Sequence, residues 1–204
     1  MAYSIENCAI LVLAAGQSKR LGVPKQLLSF AGETLINRLL RLVKKSTPFP
    51  VTLVLGANAK AIQDQLKETN LSILLNSDWE EGMASSLRAG IEQIMTQDPG
   101  VDGVMILVCD QPFINEEHIQ SLIEKQRLSG FPMAACYYAG VIGTPALFHR
   151  SIFPELLELK GDIGAKSIIK KRESEVAKLH FEQGAIDIDT MEDYQQLIRG
   201  EKGL

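Results

Sequence analysis

Three stretches of this 204-residue chain carry the side chains best suited to chemistry. The first is Leu13-Ala14-Ala15-Gly16-Gln17-Ser18-Lys19-Arg20-Leu21-Gly22-Val23-Pro24-Lys25, which sets small residues beside the cations Lys19, Arg20 and Lys25. Small residues at Ala14–Gly16 let a ligand approach the main chain, whose amides bind anionic oxygens. The pattern suits a phosphate-bearing small molecule. It is not a Walker A loop, because five residues separate Gly16 from Gly22 and Val23 follows, and it is not G-x-G-x-x-G. An ordinary strand-to-helix turn with solvated cations has the same composition. The second stretch is Cys109-Asp110-Gln111-Pro112. An aspartate at the end of a buried strand can hold Mg²⁺ together with substrate phosphates, or it can cap a turn before Pro112. In the third, Asp187-Ile188-Asp189-Thr190, strand alternation puts Asp187 and Asp189 on one side. There Asp189 or Thr190 serves equally as the cap of a helix beginning near Met191.

Other chemistries find little support. His118, His149 and His180 are scattered, lack metal-type spacing with cysteine, and His118 falls on a surface position early in a helix. No G-x-S-x-G elbow occurs. The segment Gly82–Gly90 reads as a polar loop entering a helix, with Ser85 or Ser86 as caps. A net charge of −4 argues against nucleic acid as a partner. Cys8, Cys109 and Cys136 lie in apolar runs and read as reduced core residues of a cytoplasmic protein. Met1–Asn7 has neither the basic flank nor the apolar run of a signal peptide, and no stretch reaches membrane-spanning length.

The elements that must position these groups follow from periodicity. Cys8–Leu13, Val51–Leu55, Ser72–Leu75 and Val104–Val108 are apolar runs, read as strands buried on both faces of a parallel sheet. Helix patterns lie between them: Glu33–Lys45, a weaker Lys60–Thr69, Ala84–Met95, and a helix capped by Asn115 that opens with Glu116 and Glu117. This order predicts a doubly wound sheet. The second half reads as strands Met133–Tyr138 and Ala146–Phe148 separated by Gly140 and Gly143–Pro145, then helices Ser151–Leu159 and Ala165–Lys171. Short strands Ala177–Phe181 and Ala185–Ile188 and a final helix Met191–Arg199 complete it. With no repeat, low-complexity tract or linker, residues 1–204 read as one domain.

Together these segments resemble the MobA/MocA-like nucleotidyltransferases, and within them the molybdenum cofactor cytidylyltransferase branch. The first loop matches the family signature at Leu13, Ala14, Ala15, Gly16, Ser18, Arg20, Gly22 and Lys25. The match continues in order through Asn76–Gly90, Cys109–Pro112, Gly143–Phe148, Asp162–Lys166 and Asp187–Asp193. One departure is Thr144, where members of that branch often carry histidine.

The resemblance implies a three-layer α/β/α fold with a doubly wound, mostly parallel, Rossmann-like sheet. It implies transfer of CMP from CTP to the terminal phosphate of molybdopterin in molybdenum cofactor, with Mg²⁺ as cofactor and a recipient molybdoenzyme as a further partner. Leu13, Ala14, Ala15, Gly16, Ser18, Arg20 and Lys25 would bind the nucleotide, with Ser85 and Ser86 as further contacts and Arg88 as a candidate for nucleotide or acceptor. Arg20, Lys25 and Asp110 would be catalytic, and Asp110 with Asp189 would hold the metal. Asp162 and Lys166 receive no role. Two other readings stay open: a related enzyme acting on a sugar phosphate or polyol phosphate, and a non-catalytic factor that binds and delivers the cofactor.

Overall fold

A computed structural model describes residues 3–200. Its centre is a seven-stranded sheet. The strands are β1 (Cys8–Ala14), β4 (Val51–Leu55), β5 (Ser72–Leu75), β6 (Gly103–Val108), β7 (Met133–Tyr138), β8 (Val141–His149) and β9 (Val176–His180), and a separate ribbon pairs β2 (Ser29–Phe30) with β3 (Glu33–Thr34). The order across the main sheet is β5-β4-β1-β6-β8-β7-β9. Within this sheet the ladders are parallel except the two made by β8, which runs against β6 and β7. The expected three-layer, mostly parallel α/β/α architecture is therefore present.

Strand alternation builds both faces from one run of apolar residues. In β1, Cys8, Ile10, Val12 and Ala14 pack into one core with α1 (Leu35–Ser46), α2 (Ala59–Gln63) and α4 (Glu116–Ser129). Ala9, Leu11 and Leu13 pack into the other, with α3 (Met83–Gln97), α5 (Phe153–Leu157) and α6 (Lys166–Lys171). A third, small core joins Leu21 of the first loop to Leu28, Leu35, Ile188 and Leu197, the last from α7 (Met191–Ile198). It packs the base of the cationic loop against the C-terminal aspartates.

Several expectations need correction. Ser72–Leu75 is an edge strand with Leu75 58% exposed, not a strand covered on both faces. The Lys60–Thr69 helix stops at Gln63. Beyond it the buried Asn37 side chain takes the Gln65 carbonyl (2.9 Å) and the Lys67 amide (3.0 Å), groups that a longer helix would need. Ser151–Leu159 splits into a 3₁₀ turn, Arg150–Ile152, and the short α5. Ala146–Phe148 is the end of a longer strand that contains Gly143-Thr144-Pro145. A register shift opposite Ala135/Cys136 spares Pro145 a ladder bond it cannot make. Ala185–Ile188 is no strand: a 3₁₀ turn, Glu182–Ala185, leads into chain that joins no sheet ladder. His118 is half-buried against Phe181, its ring accepting from the Asn115 amide in a capping box.

Candidate active site

β1 and β6 lie side by side at the centre of the sheet, with Leu13 opposite Val108. The chain winds outward from β1 to β4 and β5, then returns to β1's other side as β6, so their carboxyl ends flank a topological switch point. A cleft of about 700 Å³ opens there. Leu13, Ala14, Ala15, Gly16, Ser18, Lys25, Ser86 and Asp110 line it. Arg20, Ser85 and Asp189 do not, although Asp189 reaches the cleft through Lys25.

The loop after β1 is folded to leave its amides unspent. Ser18 takes a left-handed conformation, φ 57°, and its Oγ accepts the Lys25 amide at 3.0 Å. From Gly16 to Arg20, no backbone N–H donates a hydrogen bond among the described residues. Successive free amides in such a bend form an anion-binding concavity. Ala15 is held more firmly. Its carbonyl accepts the Ala57 amide, and its methyl packs beside Gly56 and Trp79. A side chain at position 56 would lie 2.6 Å from Trp79 Cβ, so glycine there admits the indole to the cleft wall.

Lys25 is the electrostatic centre. Its Nζ donates to Asp110 Oδ2 at 2.7 Å and Asp189 Oδ1 at 3.3 Å, with 18% of the side chain exposed. Burial disfavours the ammonium, but the charge and hydrogen bond of Asp110 outweigh it and hold the Lys25 pKa above the ordinary lysine range. Burial likewise opposes ionisation of Asp189, yet Lys25 and Arg20, the latter at 2.7 Å, pull its pKa down. Asp187 is pushed upward by burial and then by the neighbouring charges of Asp189 and Asp110. The Cys109 thiol beside Asp110 is raised to about 12 by burial, which removes it as a nucleophile.

The capping alternatives resolve by contact. Thr190, not Asp189, caps α7 in a capping box with Asp193, which leaves Asp189 to the cations. Asp110 spends its carboxylate on Lys25, and its carbonyl accepts the Ile188 amide, drawing the C-terminal segment to this edge. Ser85 and Ser86 do not cap α3, whose first turn is met by the Gly161 carbonyl and by Asp162. Both hydroxyls instead accept from Asn76 Nδ2 at 2.9 Å, and Ser85 Oγ also contacts the carbonyls of Asp78 and Gly82. Arg88 grips Glu81 and the Leu159 carbonyl.

Thr144 is not among the residues lining the cleft, and its carbonyl accepts from Gln111 and Tyr138. Sequence reasoning passed over Gln26, a buried side chain bonded to the Ala14 and Gly16 carbonyls, whose only signal was its place beside Lys25.

Among the described residues, no group of three or more His, Cys, Asp or Glu side chains is set to share a metal ion. Asp110 and Asp189 nonetheless aim oxygens at one cation, Lys25 Nζ. A carboxylate pair fits a hard divalent ion that completes its shell with phosphates and water.

Comparison with known proteins bears on this arrangement. Residues 10–176 match the family described as MobA-like NTP transferase domain. Purine catabolism protein PucB of Bacillus subtilis is 28% identical over 92% of this chain and 94% of its own length. Nicotine blue oxidoreductase of Paenarthrobacter nicotinovorans is 28% identical over 92% and 95%. The structure of Rv0371c from Mycobacterium tuberculosis in complex with manganese superposes with a TM-score of 0.79 at 26% identity, covering 95% of this chain and 99% of that one.

Proposed function

The chain belongs to the MobA-like NTP transferase domain family, and from that premise we propose that it moves CMP from CTP to the terminal phosphate of molybdopterin in molybdenum cofactor, releasing pyrophosphate. The observation that carries the transfer is the pairing, in one cleft, of the unspent Gly16–Lys19 amides with Lys25 and Asp110. Ala15, at a position that is usually glycine in the guanylyltransferases this chain resembles, would favour the smaller pyrimidine base.

In this reaction an oxygen of the acceptor phosphate attacks the α-phosphorus of CTP. The new P–O bond forms as the bond to the β-phosphate breaks, and its electron pair leaves on pyrophosphate. The nucleophile is already a phosphate oxygen, so no strong base is required, and catalysis reduces to positioning and charge stabilisation. The Gly16–Lys19 amides hold the triphosphate. Lys25 and Arg20 exchange their aspartate partners for the phosphates and stabilise charge on the departing pyrophosphate. Asp110 and Asp189 would hold Mg²⁺, which supplies Lewis-acid neutralisation of the phosphate oxygens when bound; the manganese complex of Rv0371c supports a divalent ion in this fold. Ser86 borders the nucleotide, while Ser85 acts beneath it. A molybdoenzyme receives the product.

The test is pyrophosphate release from each of the four labelled triphosphates with molybdenum cofactor, a sugar phosphate or a polyol phosphate as acceptor, and Mg²⁺ or Mn²⁺ as metal. CTP with molybdenum cofactor should be the productive pair. Release with a sugar or polyol phosphate alone would move the assignment to that acceptor class. Cofactor binding without release under any pair would favour a delivery role. Because one relative is named an oxidoreductase, a parallel assay with an added hydride donor follows the colour of nicotine blue; a colour change at the expense of that donor, with no pyrophosphate released from any triphosphate, would refute nucleotidyl transfer. Comparing kcat/KM for CTP and GTP in wild type and Ala15→Gly tests the methyl group, whose effect should stay within about 10–200-fold.

A further inference from the structure

Gln26 sits in the 3₁₀ turn Lys25–Leu27, 1% exposed, where it borders the cleft. Its Nε2 donates to the carbonyl of Ala14 at 2.8 Å and to that of Gly16 at 3.1 Å. The reverse amide orientation would set Oε1 against the same carbonyl oxygens, so the network fixes the assignment. Gln26 Oε1 is itself buried with no hydrogen-bond partner. A buried acceptor left unmatched is unfavourable, and here it accompanies a group whose other end ties down two carbonyls of one short loop.

The peptide geometry gives that tie a consequence. In a trans peptide the carbonyl and the following N–H point in opposite directions. Anchoring Ala14 O and Gly16 O on Gln26 turns the N–H groups of Ala15 and Gln17 away from it. Carbonyl oxygens released into the cleft would present negative dipoles to an anion. Glutamine suits the task because one neutral group of this reach carries two donors. Glutamate has its shape without the donors, and methionine its length without them.

We infer that Gln26 is a positioning residue for the triphosphate, holding the carbonyls of Ala14 and Gly16 off the cleft so that the loop meets phosphate with its amides. The inference rests on the nucleotidyltransferase reading. Its test separates the two by measuring calorimetric binding of each triphosphate with Mn²⁺, and steady-state kinetics, for wild type, Gln26→Met and Gln26→Glu, with folding checked by circular dichroism. Both variants should weaken triphosphate binding by about tenfold or more, as expected for the loss of two hydrogen bonds, and Glu should weaken it more than Met. KM for the triphosphate should rise while KM for the acceptor stays at the wild-type value. A merely structural role would lower the melting temperature and the active fraction and leave that split absent. Wild-type triphosphate affinity in either folded variant overturns the inference alone. If wild type binds none of the four triphosphates, the nucleotidyltransferase reading falls and this inference with it.

Discussion

The loop after β1 and the turn after β5 both line the cleft and are both polar, yet they spend their hydrogen-bonding groups in opposite ways. Between Asn76 and Arg88 the polar side chains satisfy one another. Asn76 binds both serines and the Asp78 amide, Ser85 contacts two carbonyls of its own turn, and Arg88 holds Glu81. Between Gly16 and Arg20 the backbone donors remain open, and two cations, Arg20 and Lys25, are matched with Asp189 and Asp110. The first segment is scaffold. The second holds donors and cations whose alternative partner is an anion. Polarity in a sequence does not distinguish these two conditions; only the list of partners does.

The sharpest way to break this comparison is at Asp110. Asp110→Asn should keep the fold and lower turnover by about 10³-fold, the scale of losing one preorganised charge contact at a transferring phosphoryl group. Normal turnover by the variant at limiting Mg²⁺ would remove Asp110 as the metal ligand. Next is Lys25→Ala, expected to reduce kcat and kcat/KM together by about 10²-fold, the pattern of a contact made mainly in the transition state. A change confined to KM would make Lys25 a uniform binding contact.

Ser85→Ala probes the scaffold side. It should cost about 1–3 kcal/mol of stability, measured by denaturant unfolding, because Asn76 Nδ2 loses a buried partner. KM for the triphosphate should not change; a raised KM with unchanged stability would reverse the assignment of that turn.

The smallest effect concerns Asp187. Its folded pKa lies above the ordinary 3.8, so the native state holds the proton more tightly than the unfolded chain does. Stability from this group is therefore complete below pH 3.8 and declines as the pH rises through the raised value. Asp187→Asn should raise the melting temperature of the ligand-free protein at pH 7 by about 1–3 °C, a gain that vanishes below pH 3.8. Asp189 has the opposite sign: its pKa is depressed, so its contribution is complete above 3.8 and disappears as the pH falls through the lower folded value. Melting curves of Asp189→Asn against wild type should differ at pH 7 and converge in acid.

What the chain determined by itself is whatever depends on near neighbours. The central strands, the Asn115 cap, the Thr190 alternative and the ordered match from Leu13 to Lys25 were legible because alternation, capping and small-residue loops are written within a few positions. Packing decided the rest. Asn37 cut short the helix expected over 60–69, and the β7–β8 register shift let β8 run through Gly143–Pro145, where local rules marked a break. Asp189 meets Lys25 across 164 residues because Leu21, Leu28, Leu35, Ile188 and Leu197 exclude water together. Gln26 acquires its role only when the chain returns its side chain to the carbonyls of Ala14 and Gly16. Local preference is fixed by the residues on either side, whereas a partner across the fold exists only once the apolar cores have brought the two segments together.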